Sequence, residues 1–386
     1  MKRRHFLATA TLALGATAWT RAADEPLPKD EKNLSFRNEI KDSLDRSLAW
    51  LRAQQNADGS FGKDTQHPAL SALPLVAFQR DPAQRFANAE FVRKSYGYLR
   101  GFAQPDGGIY AKDAGLANYN TSVCLLALAG ANEPKDLDLL LKARAYVVGQ
   151  QASGMAKSET DGGIGYGSIG ASPKRGHPDL DNTVVALEAL RATKHLVADK
   201  AGTKDLNWNA AIEFVSRCQN LPSNKQPWAS GDPANKGGFI YYPGYSNAGE
   251  ATLEGGGKAL RSYGSMSYAG LLSFIYADVK KADPRVVAAV EWLNKHYTLA
   301  ENPGLEQQGY FYYLHLMSKG LTAAGITEIE VGGKKSDWRR DLALRLMKLQ
   351  QHDGSWINEA PRWKENNPVL VTTYCALTLE ILYAQL

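Results

Sequence analysis

The sequence predicts an all-α fold, an α/α toroid of about six helical hairpins with apolar inner and amphipathic outer helices, on two observations. The first is an internal echo. Gln54-Gln55-Asn56-Ala57-Asp58-Gly59-Ser60-Phe61 returns near the other end of the chain as Gln350-Gln351-His352-Asp353-Gly354-Ser355-Trp356. A copy of that quality marks a repeat array, in which function sits where the repeats differ. The second is an alternation of two kinds of helical segment. Arg46 to Gln55 and Trp338 to Gln351 mix charge with a Leu/Ala/Trp stripe, whereas Val123 to Leu128, Val184 to Leu190, Leu271 to Ile275 and Tyr374 to Leu382 are nearly continuous apolar runs. A helix that is apolar all round must be buried and an amphipathic one covers it, so the apolar helix of each hairpin is inside and its partner outside.

In chain order, a first helix ends in Gln55, Gln104, Gln151, Gln219 or Gln351, and a turn follows. The turns read Asp58-Gly59-Ser60-Phe61, Asp106-Gly107-Gly108-Ile109-Tyr110, Asp161-Gly162-Gly163-Ile164-Gly165-Tyr166, Gly237-Gly238-Phe239-Ile240-Tyr241 and Asp353-Gly354-Ser355-Trp356. A degenerate member, Gly309-Tyr310-Phe311-Tyr312, fills the remaining gap. Glycine permits the tight reversal and aspartate satisfies free amides, while the aromatic packs back between outer helices and glutamine bonds exposed backbone. The motif specifies architecture and no chemistry. The toroid is assigned to residues 41–386 and a polar lead to residues 23–40.

Residues 1–22 read as an export signal of twin-arginine type: Lys2-Arg3-Arg4-His5-Phe6-Leu7, a weakly apolar Ala/Thr/Gly run to Trp19, and a cleavage frame at Thr20 and Ala22. An ordinary secretory signal is the alternative, and either one implies a periplasmic or secreted protein. The formal charge is +5, and Lys2, Arg3, Arg4 and Arg21 carry four of those charges in a segment without acids. The remainder has no basic cluster with interleaved aromatics, so no nucleic-acid partner is expected. No apolar run spans a bilayer. Cys124 and Cys375 occupy the same place in their repeats and read as separate buried small residues, with Cys218 elsewhere.

A helix followed by Gln, Gly and an aromatic resembles the repeat of the terpenoid cyclase and protein prenyltransferase superfamily, the squalene and hopene cyclases especially, over residues 41–386. Triterpene cyclases have two α/α domains where this chain has room for one. The resemblance implies a reaction cavity at one end of the barrel, formed by loops entering the inner helices. The inner-helix starts read Asn118-Tyr119-Asn120-Thr121, Asp179-Leu180-Asp181-Asn182-Thr183, Arg261-Ser262-Tyr263-Gly264-Ser265 and Val371-Thr372-Thr373, and one of them carries two carboxylates. That one is similar to the Asp-x-Asp-Asp-Thr signature of hopene-type cyclases, whose middle Asp protonates an alkene. It implies Asp181 as the acid and Asp179 as the first Asp, with Asn182 standing where the signature has a third.

On chemistry alone, several roles stay open for this segment. A buried Asp beside like charge holds its proton, with His177 or His315 able to orient it. Asp, Asn and Thr ahead of an apolar helix are also ordinary N-cap residues. Polar substrate binding by His177 and Asn182 is the third reading. A metal site from His177, Asp179 and Asp181 has no visible fourth ligand, so no metal and no cofactor is assigned.

The fourth unit has far more loop than a hairpin needs and leads into Arg261 and Tyr263, candidates to bind substrate. Arg261 either clamps an anion or ties down the loop. The fifth unit offers Tyr310 and Tyr312 for substrate and His315 as a weak candidate base, in an aromatic cluster suited to carbocations, to sugars or to plain packing. The late inner-helix segment Val369 to Cys375 has no His and the chain has no Asp-x-Cys pair, which argues against zinc-dependent prenyl transfer; a Cys-Gly-Glu-Gln thioester stretch is also missing.

Whether the protein is an enzyme is left open by its residues. One class is an acid-initiated cyclase of a polyprenyl substrate using Asp181, or a carbohydrate-active enzyme on the same fold. The other is a non-catalytic binding or scaffold toroid. The ligand expected is a hydrophobic or glycan small molecule.

Overall fold

The computed structural model describes residues 31–386 apart from 154–158, 168–176, 199–201 and 254–255. The chain is mostly helical. Its helices are α1 (Glu31–Ala53), α2 (Ala69–Arg80), α3 (Glu90–Arg100), α4 (Ala117–Ala131), α5 (Leu137–Gly149) and α6 (Leu180–Ala192). They continue as α7 (Trp208–Arg217), α8 (Gly264–Tyr276), α9 (Pro284–Lys295), α10 (Tyr310–Ala324), α11 (Trp338–Leu349) and α12 (Pro368–Gln385).

Two patterns of burial separate these helices. α3 buries Val92, Ser95, Tyr96 and Leu99, a single stripe at helical spacing, and α11 likewise buries Trp338, Leu342, Ala343 and Leu346. α12 by contrast is buried at every position from Val369 to Leu382, and α8 at nearly all of its length. The even-numbered helices touch one another in cyclic order, α2 to α4, α6, α8, α10, α12 and back to α2.

The recurring turn is tied into two helices at once. Its buried residue donates its amide to a hydroxyl on the next even-numbered helix: Phe61 to Ser71 Oγ (3.0 Å), Ile109 to Thr121 Oγ1 (2.9 Å), Ile164 to Thr183 Oγ1 (3.0 Å), Phe239 to Ser267 Oγ (3.1 Å) and Trp356 to Thr372 Oγ1 (3.0 Å). The glutamine side chain reaches the next odd-numbered helix instead. Gln55 Nε2 donates to Phe91 O at 2.8 Å, Gln219 Nε2 to Arg285 O at 2.8 Å and Gln350 Nε2 to Ser43 O at 2.9 Å. In the last unit the bonding residue is Gln350, although the sequence points to Gln351. The offset from the turn aspartate decides it, because Gln350 precedes Asp353 as Gln55 precedes Asp58.

The first glycine of each turn is needed twice over. Gly354 has φ +95° and a Cβ there would lie 2.7 Å from Arg46 O; Gly59 has φ +96° and would meet Lys94 O at 2.8 Å. Neither the left-handed backbone nor the contact with the neighbouring helix admits a side chain. The last turn thereby rests on the first helix.

The expected polar lead is helical from Glu31, and Phe36 and Ile40 are buried within α1. The export signal assigned to residues 1–22 lies outside the described residues. Two antiparallel hairpins interrupt the helices, β1 (Glu250–Thr252) with β2 (Lys258–Leu260) and β3 (Ile329–Val331) with β4 (Lys334–Ser336). Cys124, Cys218 and Cys375 are all free and buried. Among the described residues no helix is long and apolar enough to cross a membrane.

Candidate functional site

The hydroxyls that receive the turn amides set the register of the site. A residue two positions earlier lies about 200° around the helix and faces away from the turn. Those residues are Ala69, Tyr119, Asp181, Ser265 and Leu370, and all five line one cavity of 690 Å³ at the end where the even-numbered helices begin. Asp181 is the single acid in that set. Equal helical phase therefore brings together five residues that the sequence scatters over three hundred positions, and chemistry distinguishes one of them.

The two carboxylates of the Asp179-Leu180-Asp181-Asn182 segment have separate jobs. Asp179 is fully buried and caps α6: Oδ1 accepts from Asn182 N at 2.8 Å and Oδ2 from Asn182 Nδ2 at 2.9 Å. An aspartate at position 182 would set carboxylate against carboxylate, and the amide of Asn182 removes that conflict. Asp181 is the second residue of the helix and lines the cavity, with Tyr312 Oη donating to its Oδ1. Its Oδ2 has no other hydrogen bond among the described residues, which leaves one oxygen able to carry a proton. Burial raises Asp181 above the usual carboxylate range, and the Tyr312 bond partly opposes that shift. Burial also raises Asp179, and the neighbouring Asp181 charge adds to it.

Aromatic rings form much of the remaining lining. Tyr312 is bonded to Asp181, and Tyr119, Tyr374, Tyr166, Tyr241 and Tyr263 also line the cavity. Tyr242 and Tyr245 stack at 4.9 Å and His177 lies against Tyr242 at 4.1 Å. At the mouth, Tyr245 and Trp363 are each 42% exposed. Arg362 lies over the Trp363 ring and donates to Gln308 Oε1 (2.7 Å) and Asn247 Oδ1 (2.8 Å). Asn247 in turn donates to Tyr263 Oη at 3.1 Å, linking the rim to the wall.

Glu365 is the second carboxylate in the lining, and the protein's own backbone occupies it. Its Oε1 accepts from Tyr312 N at 2.7 Å; its Oε2 accepts from Phe311 N at 3.3 Å and Asn358 Nδ2 at 2.6 Å. It caps α10, whose N-cap residue Gly309 has no side chain to do so.

The residues singled out from sequence occupy different places. Asp181, His177, Tyr263 and Tyr312 line the cavity, and Asp179 and Asn182 stand behind it as the helix cap. Tyr310 is outside the lining; its Oη donates to Leu299 O at 2.6 Å and accepts from Arg345 Nε at 2.9 Å. Arg261 is exposed and also outside it, so the guanidinium at the mouth comes from Arg362. His315 lies one turn deeper along α10, buried, with Nδ1 3.3 Å from Thr378 Oγ1. Burial first, then the Lys319 and Arg80 charges, hold it well below the usual histidine range, so it is neutral. Sequence reading misses Tyr119, Tyr374, Glu365, Arg362 and Trp363. The hydroxyl register would have found Tyr119, since it shares the phase of Asp181.

No protein-family model matches the chain, and no curated protein does. Solved structures do. Type II terpene cyclase MstE from Scytonema, without ligand, aligns with a TM-score of 0.53 at 12% identity, over 91% of this chain and 99% of its own. A variant of that cyclase in complex with geranylgeranyl dihydroxybenzoate, its substrate, aligns with a TM-score of 0.52 at 13% identity, over 91% and 99%. A glycosidase variant aligns with a TM-score of 0.50 at 11% identity, over 90% and 98%. At these identities the fold is what is shared: the chain has a terpenoid cyclase-like fold, which a glycosidase also adopts.

Proposed function

We propose that this protein is an acid-initiated terpenoid cyclase of a prenyl substrate, with Asp181 as the proton donor. The observation that carries the reading is Asp181 in the wall of an aromatic cavity, one oxygen held by Tyr312 and the other without a hydrogen bond among the described residues. Protonating an alkene needs a carboxylic acid that keeps its proton until substrate arrives. Burial, with no cationic partner among the described residues, favours that state. The tyrosine faces and Trp363 offer π density to the cation that forms.

The finer architecture belongs to the same reading, namely an α/α toroid of six hairpins with the even-numbered helices inside. Its support is the cyclic order of helix contacts and the seating of Gly354 on α1. A place of action in the periplasm or outside the cell rests on the twin-arginine-like start alone.

The glycosidase neighbour suggests carbohydrate chemistry as the alternative. A glycosidase of the usual kind works with two carboxylates flanking the bond. Here Glu365 is committed to two backbone amides and Asn358, which leaves Asp181 as the one uncommitted carboxylate in the lining among the described residues. The cyclase reading is therefore preferred.

The experiment is turnover of geranylgeranyl dihydroxybenzoate, squalene and a panel of glycans by the mature protein and by Asp181→Asn. Cyclised products from the wild type, falling by roughly 10²–10⁴-fold in the variant, are expected. Equal turnover by both proteins, or release of sugar in place of cyclisation, overturns the proposal.

A further inference from the structure

Behind the cavity lies a second chamber of 60 Å³, lined by Arg80, Glu188, His315 and Lys319. The rest of its lining is largely aliphatic, and the charged groups include a buried ion pair: Lys319 Nζ lies 2.5 Å from Glu188 Oε2, with side chains 8% and 12% exposed. Glu188 is seven residues beyond Asp181 on α6, about 10 Å further along the axis. The two chambers share three residues, Tyr119 of α4, Tyr312 of α10 and Tyr374 of α12. Those rings are the partition between them.

The partition is braced from both sides. Tyr312 is bonded to Asp181. The Tyr374 ring lies 5.5 Å from that of Tyr312 and stacks at 5.5 Å on His315, which Thr378 holds in turn. An apolar chain pushed past the rings would have to displace packed phenols, so the partition stops it on steric grounds.

We infer that Tyr119, Tyr312 and Tyr374 form a depth stop, on which the distal end of the prenyl chain rests so that its last double bond lies at Asp181. This rests on the cyclase reading and adds to it a limit on substrate: the number of isoprene units between mouth and floor is set by these positioning residues. A longer chain leaves its head outside the mouth and gains nothing further. A shorter one does not reach from the rim to the acid.

The test is calorimetric titration of the mature protein with geraniol, farnesol, geranylgeraniol and geranylfarnesol. In the wild type, affinity is expected to climb with each unit and then level off. In Tyr374→Ala the levelling is expected to move to a chain one unit longer, with that alcohol bound at least tenfold more tightly than by the wild type. Tyr119→Ala repeats the measurement should Tyr374→Ala fail to fold, and Tyr374→Phe, which keeps the ring, is expected to level off where the wild type does. Unmoved levelling in the folded alanine variant overturns the depth stop and leaves the cyclase reading standing. No binding of any prenyl alcohol by the wild type overturns both.

Discussion

Tyr312 Oη donates a 2.5 Å hydrogen bond to Asp181 Oδ1, joining α10 to α6 across 131 residues of sequence. The bond favours the carboxylate while burial favours the acid, and burial prevails. Replacing Tyr312 by Phe removes the opposing influence, so the Asp181 titration is expected to move to higher pH. The carbonyl infrared band of its protonated form, assigned by its loss in Asp181→Asn, follows that titration directly. Under turnover the alkaline limb of the pH–rate profile moves the same way, and the maximal rate falls because the acid is weaker.

Asp181→Asn is expected to stabilise the fold at neutral pH. A carboxyl raised in the folded state retains its proton where the unfolded chain has already lost it, so stability declines as pH rises above about 4. The amide does not titrate. The melting temperature of the variant should exceed that of the wild type near pH 7 and the difference should close near pH 3, each pKa unit of displacement being worth about 1.4 kcal/mol. A gap of equal size at both pH values would contradict this account.

Glu365→Gln is expected to lower stability by roughly 1–3 kcal/mol, read as a drop in thermal midpoint. The carboxylate accepts three hydrogen bonds, two of them from amides at the start of α10. A side-chain amide turns a donor toward one of those donors. It also withdraws negative charge from the positive end of the helix.

Gly354→Ala is expected to cost more than about 1 kcal/mol in chemical denaturation, because it combines a left-handed backbone with a methyl group driven into a carbonyl. The same substitution at Gly202, also at positive φ but with open space around it, carries the backbone penalty without the clash. The difference between the two variants isolates the seating of the last turn on α1.

What the sequence conveyed depended on how local each signal was. The turn glycines, the amphipathic stripe of α11 and the unbroken apolar run of α12 are short-range patterns, and they announce the helices directly. Asp181 was legible because it is the acid at the start of an apolar helix where its counterparts are Tyr119, Ser265 and Leu370. Its role apart from Asp179 was not, since capping and cavity lining both place an aspartate near the same helix end. Glu365 was hidden because it caps a helix from a loop more than fifty residues away, a contact that leaves no mark on either segment alone. Arg261 and Tyr310 misled for a related reason: residue type is visible in a string of letters, whereas the direction of a side chain at the edge of a long loop depends on the rest of the molecule.

The seating of Gly354 against Arg46 and of Gln350 against Ser43 has a consequence for how such a protein can change over time. An open stack of repeats lengthens by adding a unit at its uncovered end. Here the last unit is already occupied by the first, so a further hairpin would have to pry apart a finished joint. Novelty has to enter through the segments between turn and helix, and those are the segments that supply Tyr241, Tyr245 and Arg362 to the cavity.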